Sequence, residues 1–115
     1  MTESPIDLPT FEALQEAAGR EFVAELVQTF LAEAPRMLNE LKSALAGGKA
    51  DEFRRAAHSL KSNSNTFGAL TLGTMARDLE LNGMAPVLAA NGAPLDALAA
   101  EYARVADALA RLGNA

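Results

Sequence analysis

The sequence lacks the pattern of a β-strand along almost its whole length. No run of β-branched and aromatic residues alternates with polar ones, whereas alanine, leucine, glutamate, arginine and lysine dominate. These residue types favour helices, and the apolar ones recur at intervals of three and four, which places them on one face of a helix. The sequence therefore predicts an all-α fold.

Caps and breakers divide the chain into five helical segments. The first, TFEALQEAAG, has Thr10 as its N-cap and Gly19 just after its end. Pro35 lies within the long second segment, and because proline removes a backbone donor we expect a kink or a break near 32–35. The last opens with Pro94 in or just before its first turn. The other predicted bounds are about 20–46, 50–66 and 69–81 for the second to fourth helices, a loop with at most one helical turn over 84–93, and Gly113 as the end of the last helix.

Four of these helices are long enough to form a bundle. Short connections between them predict an antiparallel four-helix bundle, with the short N-terminal helix as an additional cover. The chain of 115 residues fits one domain, 1–115, and half of its residues are hydrophobic, which suffices for one core without metal or disulfide. The apolar faces of the second and last helices are Phe22, Leu26, Phe30, Leu38, Leu41 and Leu45, and Leu95, Leu98, Tyr102, Val105, Leu109 and Leu112.

The composition excludes several classes of function. With zero cysteines, the chain has no thiolate nucleophile, no cysteine zinc site and no iron–sulfur ligand. A net charge of −5 and 5% aromatic residues argue against a nucleic-acid surface, which needs a basic stripe or stacking platforms. The N-terminus lacks the features of a signal peptide, and no stretch approaches the length of a membrane span. We therefore expect a cytoplasmic protein that binds neither nucleic acid nor membrane.

The one histidine of the chain, His58, lies within RRAAHSLKSNSNTFGA. On a helical wheel of residues 51–67, one side carries a core stripe and the other carries the histidine, so the imidazole is predicted to face solvent. The small polar run SNSN after Lys61 gives up helix propensity and leaves an uncrowded surface beside it. The core stripe is Phe53, Ala56, Leu60, Ser64 and Phe67, with Ala57 at its edge, and the histidine side is Asp51, Arg54, Arg55, His58, Lys61, Ser62 and Asn65.

An exposed imidazole with cations one turn away suits two kinds of chemistry. It can bind an anion, or it can carry a phosphoryl group covalently, with Lys61 at i+3 stabilising the phosphoryl oxygens. A metal site is disfavoured because a second histidine and the HxxxH and HExxH spacings are absent. The sequence also lacks GxSxG, GxGxxG and P-loop motifs and shows no isolated carboxylate pair in an apolar context.

The stretch AHSLKSNSNTFGAL, followed by LGTMARDLE, resembles the histidine-containing phosphotransfer (Hpt) domain of two-component phosphorelays. The family pattern is a histidine, leucine at +2, lysine at +3, small residues from +4 to +6, glycine at +10, a small or apolar residue at +11 and an acid or amide at about +22. The upstream segment FVAELVQTFLAEAPRMLNELKSAL looks like the family's long, proline-interrupted second helix. The matching residues are His58, Leu60, Lys61, Ser62 to Ser64, Gly68, Ala69 and Glu80.

The resemblance implies roles for individual residues. His58 would be the phosphoacceptor through Nε2, Lys61 would contact the phosphoryl group, and Glu80 would accept a hydrogen bond from Nδ1–H and so orient the imidazole. Gly68 would permit close packing or a turn, which agrees with its place after the helix as a C-cap. Many members have glycine at +4, where this chain has Ser62, and the difference bears on how closely a partner docks. The predicted binding residues around the histidine are Arg54, Arg55, Ser62, Asn65 and Gly68.

The sequence thus predicts a phosphocarrier without catalytic turnover of its own, and a monomeric, stand-alone chain. The resemblance implies that its partners are response-regulator receiver domains and a sensor or hybrid histidine kinase, and that it has no cofactor of its own, with Mg²⁺ held by the receiver. The alternative is a non-catalytic helical adaptor that binds an anionic or phosphorylated partner through Arg54, Arg55 and Lys61. A purely structural bundle and a direct kinase-domain target are further alternatives.

Overall fold

The helix-favouring composition yields six α-helices in residues 4–113, which the computed structural model describes. Within this part of the chain no strand is present, and the predicted all-α class is confirmed. The long helices α2, α3, α4 and α6 each pack against two others and form the bundle, while α1 covers α2 and α3. The helices are α1 (Leu8–Ala18), α2 (Arg20–Gly47), α3 (Ala50–Thr66), α4 (Leu70–Asn82), α5 (Ala85–Ala89) and α6 (Ala93–Gly113).

The start of α1 differs from the prediction. Asp7, not Thr10, is the N-cap, and its Oδ2 accepts hydrogen bonds from the Thr10 backbone N–H at 3.2 Å and from Thr10 Oγ1 at 2.5 Å. Both residue types are good N-caps, but Pro9 pre-organises the first turn and has no N–H that would need a partner there. The helix therefore begins three residues earlier than Thr10 as N-cap would allow.

One continuous hydrophobic core joins the helices. The apolar face of α6 is buried or half-buried as predicted. On α2 the prediction for Phe22 is wrong, because that ring is 51% exposed while Val23 and Val27 are buried. Steps of four and three residues lead from Val23 through Val27 to the buried Phe30 and Ala34, and Phe22 lies about 100° away from this line.

Pro35 does not break α2, which runs without interruption from Arg20 to Gly47. Proline has no N–H, so the carbonyl of Leu31, four residues earlier, loses its usual partner in the helix. The hydroxyl of Tyr102 on α6 lies 3.5 Å from that carbonyl oxygen and donates to it. Burial raises the pKa of the Tyr102 phenol, which keeps it in the donor form. A long hydrogen bond from α6 thus gives this carbonyl a weak partner in place of the helix bond that the proline removes.

We expect Tyr102→Phe to lower the free energy of unfolding by about 0.5 kcal/mol, the lower end of the range for one net hydrogen bond, because the two oxygens are 3.5 Å apart. In a Pro35→Ala background the new backbone N–H bonds to Leu31, so the same substitution should then cost less. Urea denaturation of the four chains of this double-mutant cycle measures the difference. Equal costs in the two backgrounds would contradict the compensation.

Candidate functional site

Helix α3 has one buried face and one exposed face, as the helical wheel predicts. All members of the predicted core stripe are buried, whereas the side chain of His58 is 57% exposed. The small polar run is helical, and several of its side chains donate to carbonyls four residues earlier, such as Ser64 Oγ to Leu60 at 2.6 Å and Asn63 Nδ2 to Ser59 at 3.0 Å. The histidine is therefore presented on a regular, solvent-facing helix surface.

The neighbouring helix α4 brings Glu80 to the imidazole. Residues 67–69 form the short turn between α3 and α4, which pack against each other more extensively than any other pair of helices. As a result His58 Nδ1 lies 2.8 Å from Glu80 Oε2, although the two residues are 22 apart in the sequence. A carboxylate can only accept, so the Nδ1–H donates, which leaves the lone pair of the neutral ring on Nε2.

Glu80 also bonds to the nearest cation. Lys61 Nζ lies 2.9 Å from Glu80 Oε1, and the two side chains are 25% and 15% exposed. One carboxylate thus uses its two oxygens for two partners on α3, one turn apart. These hydrogen bonds, from Lys61 first and His58 second, hold the pKa of Glu80 below its ordinary value of 4.5.

This shift predicts a pH dependence with a definite sign. Because the pKa of Glu80 is lower in the folded chain than in the unfolded one, its contacts stabilise the fold above the unfolded pKa, and the stabilisation is lost as pH falls through the folded value. Lys61→Met should raise the pKa of Glu80 towards 4.5. Carbon-13 NMR titration of the carboxylate measures it, and Arg54→Met serves as the control, since Arg54 pairs with Asp51 instead. An unchanged pKa in Lys61→Met would contradict this assignment.

The other predicted binding residues do not form one cluster. Arg54 lies 3.5 Å from Asp51, Arg55 is exposed and lines a groove between α2 and α3, and Ser62 is exposed. The Asn65 side chain lies against Gly73 of α4. Among the residues singled out from the sequence, Glu80 contacts His58 directly, and Lys61 is linked to His58 through Glu80.

Gly68 lies beneath the N-terminal segment, not on the surface. It is buried, has φ of +83°, and its carbonyl accepts the Asp7 N–H at 2.8 Å. A Cβ at this position would lie 2.8 Å from the Asp7 carbonyl oxygen. Glycine is thus required both by the left-handed backbone and by the close approach of α1, and a partner cannot reach it directly.

Sequence reasoning did not single out Gly73. A lone glycine inside a helical pattern is a recognisable signal, because it weakens a helix unless close packing requires it.

In the described residues 4–113, no group of three His, Cys, Asp or Glu side chains could hold a metal ion. None of the helices described there has the length and apolar character needed to span a membrane.

Comparison with known protein families gives one match. The family model for the Hpt domain matches residues 25–115, which include most of α2 and all of the later helices. Neither a curated protein nor a solved structure matches the chain. The matched region contains the three contacting residues of the site, His58, Lys61 and Glu80.

Proposed function

The chain belongs to the Hpt domain family, whose members transfer phosphoryl groups through histidine in phosphorelays, and we propose that His58 is its phosphoacceptor. It receives a phosphoryl group from the aspartyl phosphate of one receiver domain and passes it to the aspartate of another. The observation that carries this proposal is the 2.8 Å hydrogen bond between His58 Nδ1 and Glu80 Oε2 on an exposed helix face.

The hydrogen bond prepares the imidazole for attack. With its proton held on Nδ1 by Glu80, the neutral ring keeps an unshared electron pair on Nε2, the nucleophilic atom. The exposure of the side chain gives a bulky donor access to that nitrogen. A carboxylate that accepts from the other ring nitrogen in this way fixes both the tautomer and the orientation of the ring.

The transfer step is a displacement at phosphorus. The Nε2 electron pair forms the N–P bond while the bond between phosphorus and the aspartyl oxygen breaks, and that oxygen leaves with its electron pair as a carboxylate. The Nδ1 proton stays in place, so the phosphorylated ring carries a positive charge opposite the Glu80 carboxylate. Transfer to the next aspartate reverses the same step, and no oxidant, reductant or water is consumed.

Lys61 supplies positive charge to the transferring group. Phosphoryl transfer proceeds through a loose transition state, in which electrostatic stabilisation and positioning are the main contributions of the protein. Lys61 lies one turn from His58 on α3, and its ammonium group contacts the Glu80 carboxylate in this structure. It reaches a phosphoryl oxygen on Nε2 either by turning away from the Glu80 carboxylate or by contacting both groups at once.

The partners supply the rest of the site. We propose response-regulator receiver domains and a sensor or hybrid kinase as partners, with Mg²⁺ bound by the receiver. The exposed Arg55 and Ser62, beside His58, belong to the proposed contact surface. The chain itself acts as a carrier and is regenerated when the phosphoryl group moves on.

A phosphotransfer assay tests this function. The protein is incubated with receiver domains bearing a radiolabelled aspartyl phosphate, with Mg²⁺ present, and the label on the chain is tested for stability. Acid-labile, base-stable label at no more than one phosphoryl group per chain is expected. If a folded chain binds phosphorylated receivers without acquiring label, it is not a carrier, and an adaptor for anionic partners becomes the better description.

A further inference from the structure

Gly73 lies inside α4, in a helical conformation, and its lack of a side chain makes room for Asn65 of α3. A Cβ built on Gly73 would lie 2.9 Å from Asn65 Cγ and even closer to Oδ1. Separations under 3.0 Å essentially never occur for real Cβ atoms. The Asn65 side chain therefore occupies the space that any larger residue at position 73 would need.

The contact is in register with the functional site. Asn65 follows His58 by seven residues on α3, and Gly73 precedes Glu80 by seven residues on α4. Seven residues are close to two helical turns, or about 10 Å along the axis. The Asn65–Gly73 contact and the His58–Glu80 hydrogen bond thus lie on the same antiparallel interface, the first near the connecting turn and the second two turns away from it.

Two changes relieve the overlap: a different χ1 rotamer of Asn65, which is an exposed residue, or a wider gap between α3 and α4. Because Cγ as well as Oδ1 is too close, rotation about the outer torsion does not relieve the overlap, and χ1, which a helix restricts to few wells, would have to change. The backbone of Asn65 is held in the turn, where its carbonyl accepts the Gly68 N–H at 3.1 Å. A larger residue at position 73 therefore requires either this rotamer change or a wider spacing of the two helices.

We propose that Gly73 is a positioning residue, which with Asn65 sets the approach of α4 to α3 and thereby holds Glu80 at hydrogen-bonding distance from His58. The proposal rests on the function proposed above for its effect on phosphotransfer, but its effect on the imidazole does not depend on that function. A Cβ at position 73 displaces Glu80 from Nδ1, and the proton of the neutral ring is then no longer confined to Nδ1.

The test is a double-mutant cycle of wild type, Gly73→Ala, Asn65→Ala and the double variant. Nitrogen-15 NMR of the neutral His58 imidazole reports the tautomer, and single-turnover transfer from a phosphorylated receiver reports the rate. Gly73→Ala should shift the tautomer away from Nδ1–H and slow transfer roughly tenfold, since misplacement of about 1 Å can cost up to 100-fold. The Asn65→Ala chain and the double variant should have nearly the same tautomer and rate. In both chains the Asn65 amide is absent, so a Cβ at position 73 no longer overlaps with it.

Gly47→Ala is the matched control. Gly47 is also helical, and a Cβ there would make only ordinary contacts, the nearest at 3.6 Å to the Lys49 side chain. It should leave the tautomer and the rate unchanged. A Gly73→Ala chain with the wild-type tautomer and rate, or a double variant as impaired as Gly73→Ala or unable to fold, would overturn the proposal. If wild type is not phosphorylated, the proposed function fails, while the tautomer measurement still decides the role of Gly73.

Discussion

Replacement of His58 by glutamine is expected to abolish the acid-labile label entirely. Glutamine keeps a polar side chain of similar reach on an exposed helix face, so the fold should not change. Its amide nitrogen, however, has no available electron pair to attack phosphorus, and the chain holds no second histidine to replace it. The loss should therefore reach the detection limit of the transfer assay and not merely slow the reaction.

The same variant separates the phosphocarrier from the adaptor. An adaptor that binds through Arg54, Arg55 and Lys61 retains all three cations in His58→Gln and should keep its function. Receiver binding, measured by calorimetry, should persist in the variant even though transfer is lost. Ser59→Ala, a change at the next exposed position of α3, is the control that should still accept label. Label on His58→Gln equal to that on wild type would rule out the assignment of the phosphoacceptor.

Replacement of Glu80 by alanine is expected to slow phosphotransfer by about 100-fold, the upper end of the range seen when a metal-bound histidine loses the carboxylate that orients it. The variant loses the acceptor of Nδ1–H and leaves Lys61 without its 2.9 Å partner. Glu80→Gln retains a carbonyl oxygen that can accept from Nδ1–H, and its loss should be nearer tenfold. Single-turnover rates at saturating receiver measure both, because docking and chemistry are then separated.

Asp78→Asn is the matched control for the Glu80 variants. Asp78 is an exposed acid on the same helix, two residues earlier, which is about 200° around the helix axis from Glu80. Its neutralisation changes the net charge as Glu80→Gln does but leaves the imidazole contact in place. If Asp78→Asn and Glu80→Ala slow transfer to the same extent, the effect of Glu80 is one of general charge and not of orientation.

Local patterns were sufficient to predict most of the helices. The third helix was predicted at the bounds that the structure gives, 50–66, because strong periodicity and a following glycine mark both its face and its end. The 100° step between successive residues was enough to predict which side chains from Phe53 to Phe67 are buried. Asp7 and Thr10 are both suitable N-cap residues for α1, and the prediction named Thr10 where the structure has Asp7.

The predictions for α2 show the limit of reasoning along one helix. A proline in mid-helix predicts a kink or a break, but the helix continues without a break, and a tyrosine 71 residues away along the chain donates to the carbonyl left without a partner. Phe22 fits a spacing of four with Leu26, but the phase of the buried face is set by what α6 and α3 present to it. Neither result is contained in the sequence of α2 itself.

For the candidate site, the sequence by itself determined that His58 lies on a polar helix face with Lys61 one turn away, since 3.6-residue periodicity fixes which side chains share a face. The sequence identified Glu80 as part of the site only through the family resemblance. That Glu80 bonds to both His58 and Lys61, that Gly68 lies under α1 and that Asn65 fits against Gly73 were decided by tertiary structure. These are distances between atoms on different helices, and they depend on how closely and in which register the helices pack, which no periodicity within a single helix specifies.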